Sequence, residues 1–341
     1  MDRSAASAYV YAKASGILAK SFIGARAEKL FSIKSLRDLY GMLFPGDIPA
    51  VPETVLAKTI EQLAEKHFLD EYQKLLLVYS KPDSVLVYLL RFYDYDNLKE
   101  IGAALCNRES KIPSVASTGQ FSMLDYSAWP DLAKITANSS VSWYNKIPHP
   151  DEQKELDTKL DKQYIRELWS SIEHLHLSER KPVEEFIKKE LSFNNIVWAV
   201  RLRVYYKMDA EEIKSRLAFA DESKDEEDVL AGEAISILEK DTGSWDDWKD
   251  WKYRDLLNPH EEGIVWGLDP GWLEHSVKRV VVDSAMRSFH KYPFTAMVLV
   301  CWFKIKQYEL DCIRAVAEGF RLDVDPQQVM SASSMTQSAQ S

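Results

Sequence analysis

The sequence contains few of the residues that interrupt helices or build disulfide-rich folds. Glycine and proline contribute only 12 and 13 of the 341 residues, which leaves room for long helices. The three cysteines, Cys106, Cys301 and Cys312, are odd in number and lack the close pairing of a zinc site. They exclude a disulfide framework and favour a reducing cytosol.

The chain also lacks a long hydrophobic run. Its longest apolar stretch, Phe294 to Phe303, falls far short of the roughly 20 residues needed to cross a bilayer. The N-terminus leads into an amphipathic segment, so no signal peptide is predicted. We therefore expect no direct membrane span, although the protein could sit on a membrane by holding a membrane protein.

Positive charge is in deficit. The 53 acidic side chains outnumber the 43 basic ones and give a formal net charge of −10. This balance argues against electrostatic binding to nucleic acid or to an anionic lipid surface. It predicts protein partners with basic patches.

Sequence motifs of common catalytic sites are missing. The glycines are scattered, and nothing matches the glycine-rich loop whose backbone amides surround a phosphate. There is no His-Glu-x-x-His, no Gly-x-Ser-x-Gly and no cysteine close to a histidine. We therefore predict no catalytic residue, no cofactor and no metal site.

What the sequence has in abundance is helical periodicity, together with 46% apolar residues, enough for a large core. Strand patterns are nearly absent, so an all-α fold is predicted. The segment 107–150 differs because it is rich in proline, serine and threonine, and we interpret it as a loop-rich junction at a domain boundary. The predicted helices cover residues 8–44 (two or more helices), 55–79, 84–106, 152–175, 183–207, 210–219, 229–241, 245–257, 272–291 and 293–320.

Two further segments attract attention. Trp245, Trp248 and Trp251 recur every three residues and predict an aromatic stripe on one helix face, either packed in the core or docking a partner. A run of acidic residues is either a solvated linker or a site for a basic partner. It includes Asp225, Glu226, Glu227 and Asp228.

Motifs in a fixed order resemble those of one family of rotary-ATPase proteins, the C subunits of bacterial and archaeal V/A-type ATP synthases, which correspond to the d subunits of eukaryotic V-ATPases. Tyr9 to Ala14 and Ser35 to Gly41 are similar to that family's first helices. Tyr93 to Lys99 matches its Asp-x-x-Asn-Leu-Lys segment, and Ser192 to Ile196 looks like a second copy. Phe303 to Arg314 resembles the closing helix.

The copies suggest one device used three times: a buried helix with a polar residue near its start, followed by an arginine. Asn97 and Asn195 carry the first two copies, and Glu309 lies in the third. Arg201 and Arg314 follow Asn195 and Tyr308 by six positions and can pair with an acidic residue across a helix interface, or form ordinary surface or intrahelical pairs. The first copy departs from the pattern with alanine at the arginine position.

The resemblance implies three similar helical domains in a pseudo-threefold funnel, over residues 1–112, 113–222 and 223–326. The tail 327–341 is rich in Ser, Gln, Met and Ala without periodicity and is predicted to be disordered. The resemblance also implies a non-catalytic central-stalk subunit whose partners are the central shaft subunits and the proteolipid ring. The complex would move protons or sodium ions across the membrane, with this chain peripheral on its cytoplasmic side. The alternatives are a free-standing helical scaffold and a helical enzyme with a pocket at a domain junction.

Overall fold

The computed structural model describes residues 2–221 and 227–324. Within these ranges the chain forms thirteen α-helices, five short 3-10 turns and no strand, so the predicted all-α fold is confirmed. The same residues include no helix that combines the length and apolarity needed to cross a membrane. The helices are α1 (Arg3–Leu18), α2 (Ala27–Phe31), α3 (Leu36–Leu43), α4 (Glu53–Leu76), α5 (Ser84–Cys106), α6 (Leu132–Thr136), α7 (Gln153–Ser171), α8 (Leu177–Tyr206), α9 (Ala210–Arg216), α10 (Gly232–Ser236), α11 (Trp245–Trp248), α12 (Pro270–Lys291) and α13 (Ala296–Arg321).

Side-chain caps explain where several helices begin. The Asp209 carboxylate accepts a hydrogen bond from the Glu212 N–H, and the Glu212 side chain accepts one from the Asp209 N–H, which completes a capping box before α9. Asp269 caps α12 in a similar way, and Pro270 follows it in the first turn. These groups satisfy backbone N–H groups that have no partner inside a helix.

The long helices follow the sequence prediction closely, whereas the predicted helices 229–241 and 245–257 are shortened to Gly232–Ser236 and Trp245–Trp248. α5 has the predicted bounds 84–106. The predicted helix 245–257 is wrong, because α11 ends at Trp248 and the chain then turns. The Trp248 indole donates to the Asp241 carbonyl at 2.8 Å, which holds this turn against the core.

Six long helices form three hairpins, α4–α5, α7–α8 and α12–α13. The second helix of each hairpin packs against the first helix of another, because α5 contacts α7, α8 contacts α12, and α13 contacts α4. α1 packs against α13 and α4. The three predicted domain ranges remain a prediction, and the tail 327–341 lies outside the described residues.

Polar contacts tie the three hairpin turns to the start of α1. The Arg3 guanidinium donates to both oxygens of Asp83, at 3.1 and 2.9 Å, and to Glu179 at 3.3 Å. The other Glu179 oxygen accepts from the Ala296 N–H at 2.8 Å. Asp83 precedes α5, Glu179 lies in the first turn of α8 and Ala296 begins α13, so we call this end of the molecule the turn end.

The apolar core forms two clusters. The larger joins α1 to α5, α7, the first half of α8 and α13, and it includes Trp302, stacked between Phe68 and Tyr72. The smaller joins the second half of α8 to α9, α10, α11 and the first half of α12. α8 therefore crosses from one cluster into the other.

Candidate functional site

Two buried asparagines hold loops by the same contact. The Asn97 side chain donates to the Ala116 carbonyl at 2.8 Å and accepts from the Ala116 N–H at 2.8 Å. Asn195 makes the same pair with Ala218, at 2.7 and 3.0 Å, and also donates to the Leu230 carbonyl at 2.9 Å. Both lie in the middle of their helices, so the expected position near a helix start is wrong. Their role here is structural, since each amide fully pairs one buried peptide group.

Glu309 holds the N-terminal segment by a hydrogen bond to its backbone. Its side chain is 6% exposed, and one of its oxygens accepts from the Phe22 N–H at 2.5 Å. The other oxygen pairs with Lys306 in the same helix. The segment held by Glu309 comes from the opposite end of the chain, 287 positions away.

A buried carboxylate accompanies each asparagine. Asp94 accepts from the Thr118 hydroxyl at 2.7 Å, the Tyr126 hydroxyl at 3.0 Å and the Met123 N–H at 2.8 Å. Burial nevertheless raises the pKa of Asp94 above its ordinary value. The one signal in the sequence was an acidic residue one helical turn before Asn97.

Asp228 corrects one expectation about the acidic run. It is 9% exposed, and its two oxygens accept from the backbone N–H groups of Ala220, Leu230 and Ala231, at 2.8 to 2.9 Å. Asp228 is thus neither a solvated linker residue nor a partner contact. Glu227 is exposed, while Asp225 and Glu226 lie outside the described residues.

Both predicted arginines pair across helix interfaces. Arg201 of α8 contacts Glu274 of α12 at 3.1 Å, and Arg314 of α13 contacts Glu65 of α4. Each arginine side chain is 40% exposed, so these pairs are screened by solvent. The first copy, without an arginine, has Lys99 of α5 contacting Asp161 of α7 at 2.5 Å.

The tryptophans belong to the smaller core cluster. Trp248 and Trp251 are 1% and 7% exposed and meet edge to face, with ring centroids 5.4 Å apart. Trp245 is half-buried and stacks on His260 at 5.2 Å. The stripe on one helix face is therefore wrong, and of the two interpretations the structure supports core packing.

A cleft of about 360 Å³ lies where the three hairpins meet. Its walls come from the middle of α4, α5, α8, α12 and α13, and we call it the central cleft. Burial acts to lower the pKa of Lys278 in this wall, but Asp311 and Glu274 outweigh burial and raise it. The charged lining residues are Glu65, Asp96, Glu190, Lys278, Lys304, Asp311 and Arg314.

One wall of the central cleft continues beyond it along α8. Glu190 and Asn194 line the cleft, and Trp198 follows on the same helix face at a spacing of four residues. Trp198 is 41% exposed, an unusual position for tryptophan. It lies away from the turn end, since α8 starts there. No motif pointed to this residue, because it belongs to an ordinary apolar pattern.

Each of the three hairpin turns exposes one large apolar side chain. Leu77 follows α4 and is 52% exposed, Leu177 begins α8 and is 82% exposed, and Phe294 precedes α13 and is 54% exposed. All three lie close in sequence to the contacts around Arg3. The turn end thus combines a polar network with apolar tips.

Within residues 2–221 and 227–324, no three or more His, Cys, Asp or Glu side chains converge in a way that could hold a metal ion. The polar groups of the described site instead hold helices and loops together. The described residues thus form an all-α protein whose polar groups serve its own packing.

Comparison with known proteins identifies the family. Residues 7–332 match the family model described as ATP synthase (C/AC39) subunit, and the chain belongs to this family of V/A-type ATP synthase subunits. A protein of Treponema pallidum (strain Nichols), described as uncharacterized, is 27% identical over 323 residues. That match covers 93% of both chains.

Proposed function

We propose that this chain is the non-catalytic central-stalk subunit that couples the shaft of a rotary ATPase to its proteolipid ring, in a complex that links ATP to proton or sodium transport. The observation that carries the proposal is the family match, which extends over residues 7–332 and so over nearly the whole chain. The three hairpins add physical support, because a part that transmits torque must be stiff, and packed helices resist deformation.

The shaft binds at the central cleft in this proposal. The cleft touches all three hairpins, so a load applied there is shared among them. Four carboxylates and three cationic side chains line it, which suits a polar partner surface with basic patches. Trp198 beside it provides the large aromatic contact that protein interfaces favour.

The ring binds at the turn end. The exposed side chains of Leu77, Leu177 and Phe294 offer apolar contacts there, and the bonds of Arg3 hold the three turns together. Shaft and ring then occupy different positions along the same helices, the middle and the turn end, as a coupler requires. The paired packing of α5 with α7, α8 with α12 and α13 with α4 supports a pseudo-threefold funnel around the cleft.

The acidic run remains a proposed shaft contact, but with three acidic residues instead of four. Asp225, Glu226 and Glu227 stay in it, whereas Asp228 does not because it holds the backbone. Replacing Asp225, Glu226 and Glu227 with serine should slow association with the shaft more than it speeds dissociation. Higher salt should have the same effect, since ions screen exposed charges.

Reconstitution from defined parts tests the proposal. Purified shaft subunits and detergent-solubilised proteolipid ring should each bind the intact chain, and the three together should form one complex in size-exclusion chromatography. Adding ATP to the chain alone should give no hydrolysis. A folded chain that binds neither partner would contradict the proposal and favour the free-standing scaffold.

A further inference from the structure

A second cleft, larger than the central one, lies on the outside of the molecule between α1 and α4, with α13 as its floor. We call it the α1–α4 groove. Its volume is about 830 Å³. Its α4 wall runs from Ala64 to Leu75, about 17 Å at the rise of an α-helix, and continues past the end of the helix to Val78. The helical part of this wall thus has the length of about three helical turns.

The groove combines a paired floor with cationic rims. Lys306 in the floor contacts Ser21 at 3.2 Å, Glu71 at 3.6 Å and Glu309. Lys13 and Lys20 lie on the α1 side and Lys74 on the α4 side, and all three are exposed. Among residues 2–221 and 227–324, none of the amino groups of these three side chains has a hydrogen-bond or ion-pair partner. In a chain of net charge −10, this is a local excess of positive charge.

Apolar side chains lie between the rims. Ile17, Phe22, Phe44 and Val78 are half-buried and line the groove, above a buried layer that includes Phe68. A partner that fills the groove must therefore present an apolar face with negative charge on both sides. The elongated shape, the apolar side chains between the rims and the basic rims together fit a helix laid lengthwise.

We propose that the α1–α4 groove binds an amphipathic helix of another protein, with an apolar stripe against the floor and acidic side chains against Lys13, Lys20 and Lys74. The chain's own C-terminal residues 325–341 do not fit, since they contain one acidic side chain. The groove shares Leu310 with the central cleft and reaches Val78, next to Leu77 of the turn end, but its other lining residues belong to neither, so it adds a third interface to the proposed function.

Gly16 allows a clean steric test. It lies in α1 and lines the groove, and a Cβ built on it meets nothing within 4 Å. Gly16→Leu should therefore preserve the fold and fill the groove. Gly41→Leu is the matched control, because Gly41 also lies in a helix with open space around its Cβ but does not line the groove.

Lysine reversals test the charge requirement independently. Lys13→Glu with Lys20→Glu removes the cations of the α1 rim. Lys29→Glu with Lys58→Glu changes the net charge of the chain by the same amount, at exposed lysines that do not line the groove.

The probe is a fluorescent helical peptide of about 14 residues with a leucine stripe flanked by glutamates, and its binding to the full chain is followed by anisotropy. We expect saturable binding that weakens about tenfold or more in Gly16→Leu and in the Lys13, Lys20 double variant, and stays unchanged in both controls. A peptide of the same composition with its leucines dispersed should bind no better than the blocked variant.

Three results would overturn the proposal. The first is that the peptide does not bind, and the second is that the peptide with dispersed leucines binds equally well. The third is that Gly16→Leu and the Lys13, Lys20 double variant bind the peptide as well as their two controls do. Co-sedimentation with phosphatidylglycerol vesicles, lost in Gly16→Leu and without peptide binding, would assign the groove to an anionic lipid instead. Shaft and ring binding should persist in the variants, so this test and the test of the central-stalk role can fail separately.

Discussion

The helices α5 and α8 each hold a following loop through a buried asparagine, but the buried carboxylate that accompanies the asparagine lies in a different place. In both, an asparagine in the middle of the helix pairs with one backbone peptide of a following loop. The helix α5 also supplies the buried carboxylate, Asp94, three residues before Asn97. α8 has Ser192 at that position, and the carboxylate comes from Asp228 in the loop.

This difference shows what a degenerate repeat keeps. The amide contact needs one geometry, because the carboxamide of asparagine or glutamine carries a donor and an acceptor side by side that match the C=O and N–H of one residue. A carboxylate that collects hydrogen bonds can sit on either side of the interface. We therefore expect the packing to require the asparagine amides at fixed positions, and to tolerate more freedom in the position of the buried acids.

Removing the amides should cause the largest loss. Asn195→Ala leaves two carbonyls and one N–H without a partner in the core, and we expect it to cost about 3 kcal/mol of unfolding free energy. Asn97→Ala should cost about 2 kcal/mol, because its bonds are less buried and Tyr126 keeps its bond to Asp94.

Urea unfolding followed by circular dichroism measures both values. Asn138→Ala is the control, since that side chain is exposed and makes no hydrogen bond within the described residues. Equal changes in unfolding free energy for all three substitutions would show that the two buried amides do not stabilise the packing of the helices.

Substitution of the less buried acid, Asp228, should cost more unfolding free energy than substitution of the more buried acid, Asp94. Asp228→Asn faces backbone N–H groups on both oxygens, so its NH₂ group meets another donor, and we expect a loss of about 2 kcal/mol. Asp94→Asn should cost less than about 1 kcal/mol, because hydroxyls that donate to the carboxylate can turn and accept from an amide.

A pH series sharpens this result. Because burial raises the pKa of Asp94, the folded state binds its proton more tightly than the unfolded state. Wild-type stability relative to Asp94→Asn should then rise as the pH falls from 7 toward the ordinary aspartate pKa of about 4. A relative loss in that window would contradict the assigned direction.

The ion pairs across helix interfaces should matter least. A double-mutant cycle on Arg201 and Glu274 should give a coupling below about 1 kcal/mol, since both side chains are partly exposed. The pair Arg314 and Glu65 should behave alike. A coupling of several kcal/mol in either pair would mean that these contacts, and not the amides, hold the hairpins together.

The features that could be predicted from the sequence are those that are local or that repeat along the chain. Helical periodicity predicted the long helices, and the motif copies pointed to Asn97, Asn195, Arg201 and Arg314. Contacts between distant residues were not predictable: Arg3 meets Glu179 across 176 positions, and Lys306 meets Ser21 across 285. Periodicity states which face of a helix is apolar but not which helix covers it.

The errors have the same cause. The stripe of Trp245, Trp248 and Trp251 follows helical spacing, yet the chain turns after Trp248 so that these rings pack into one small core. Asp228 appears in a charged run, and only the fold shows that three backbone N–H groups surround it. In both cases tertiary packing decided against the local pattern.

The most direct test of the central-stalk role is the affinity of the intact chain for purified shaft subunits when Trp198 is replaced. Trp198→Ala should weaken binding about tenfold or more, since an exposed tryptophan beside the central cleft would lose its contact. Tyr9→Ala, which removes an aromatic side chain of similar exposure from the α1 face, should leave the affinity unchanged. Unchanged binding by Trp198→Ala, or an equal loss in both variants, would contradict a shaft seat at the central cleft.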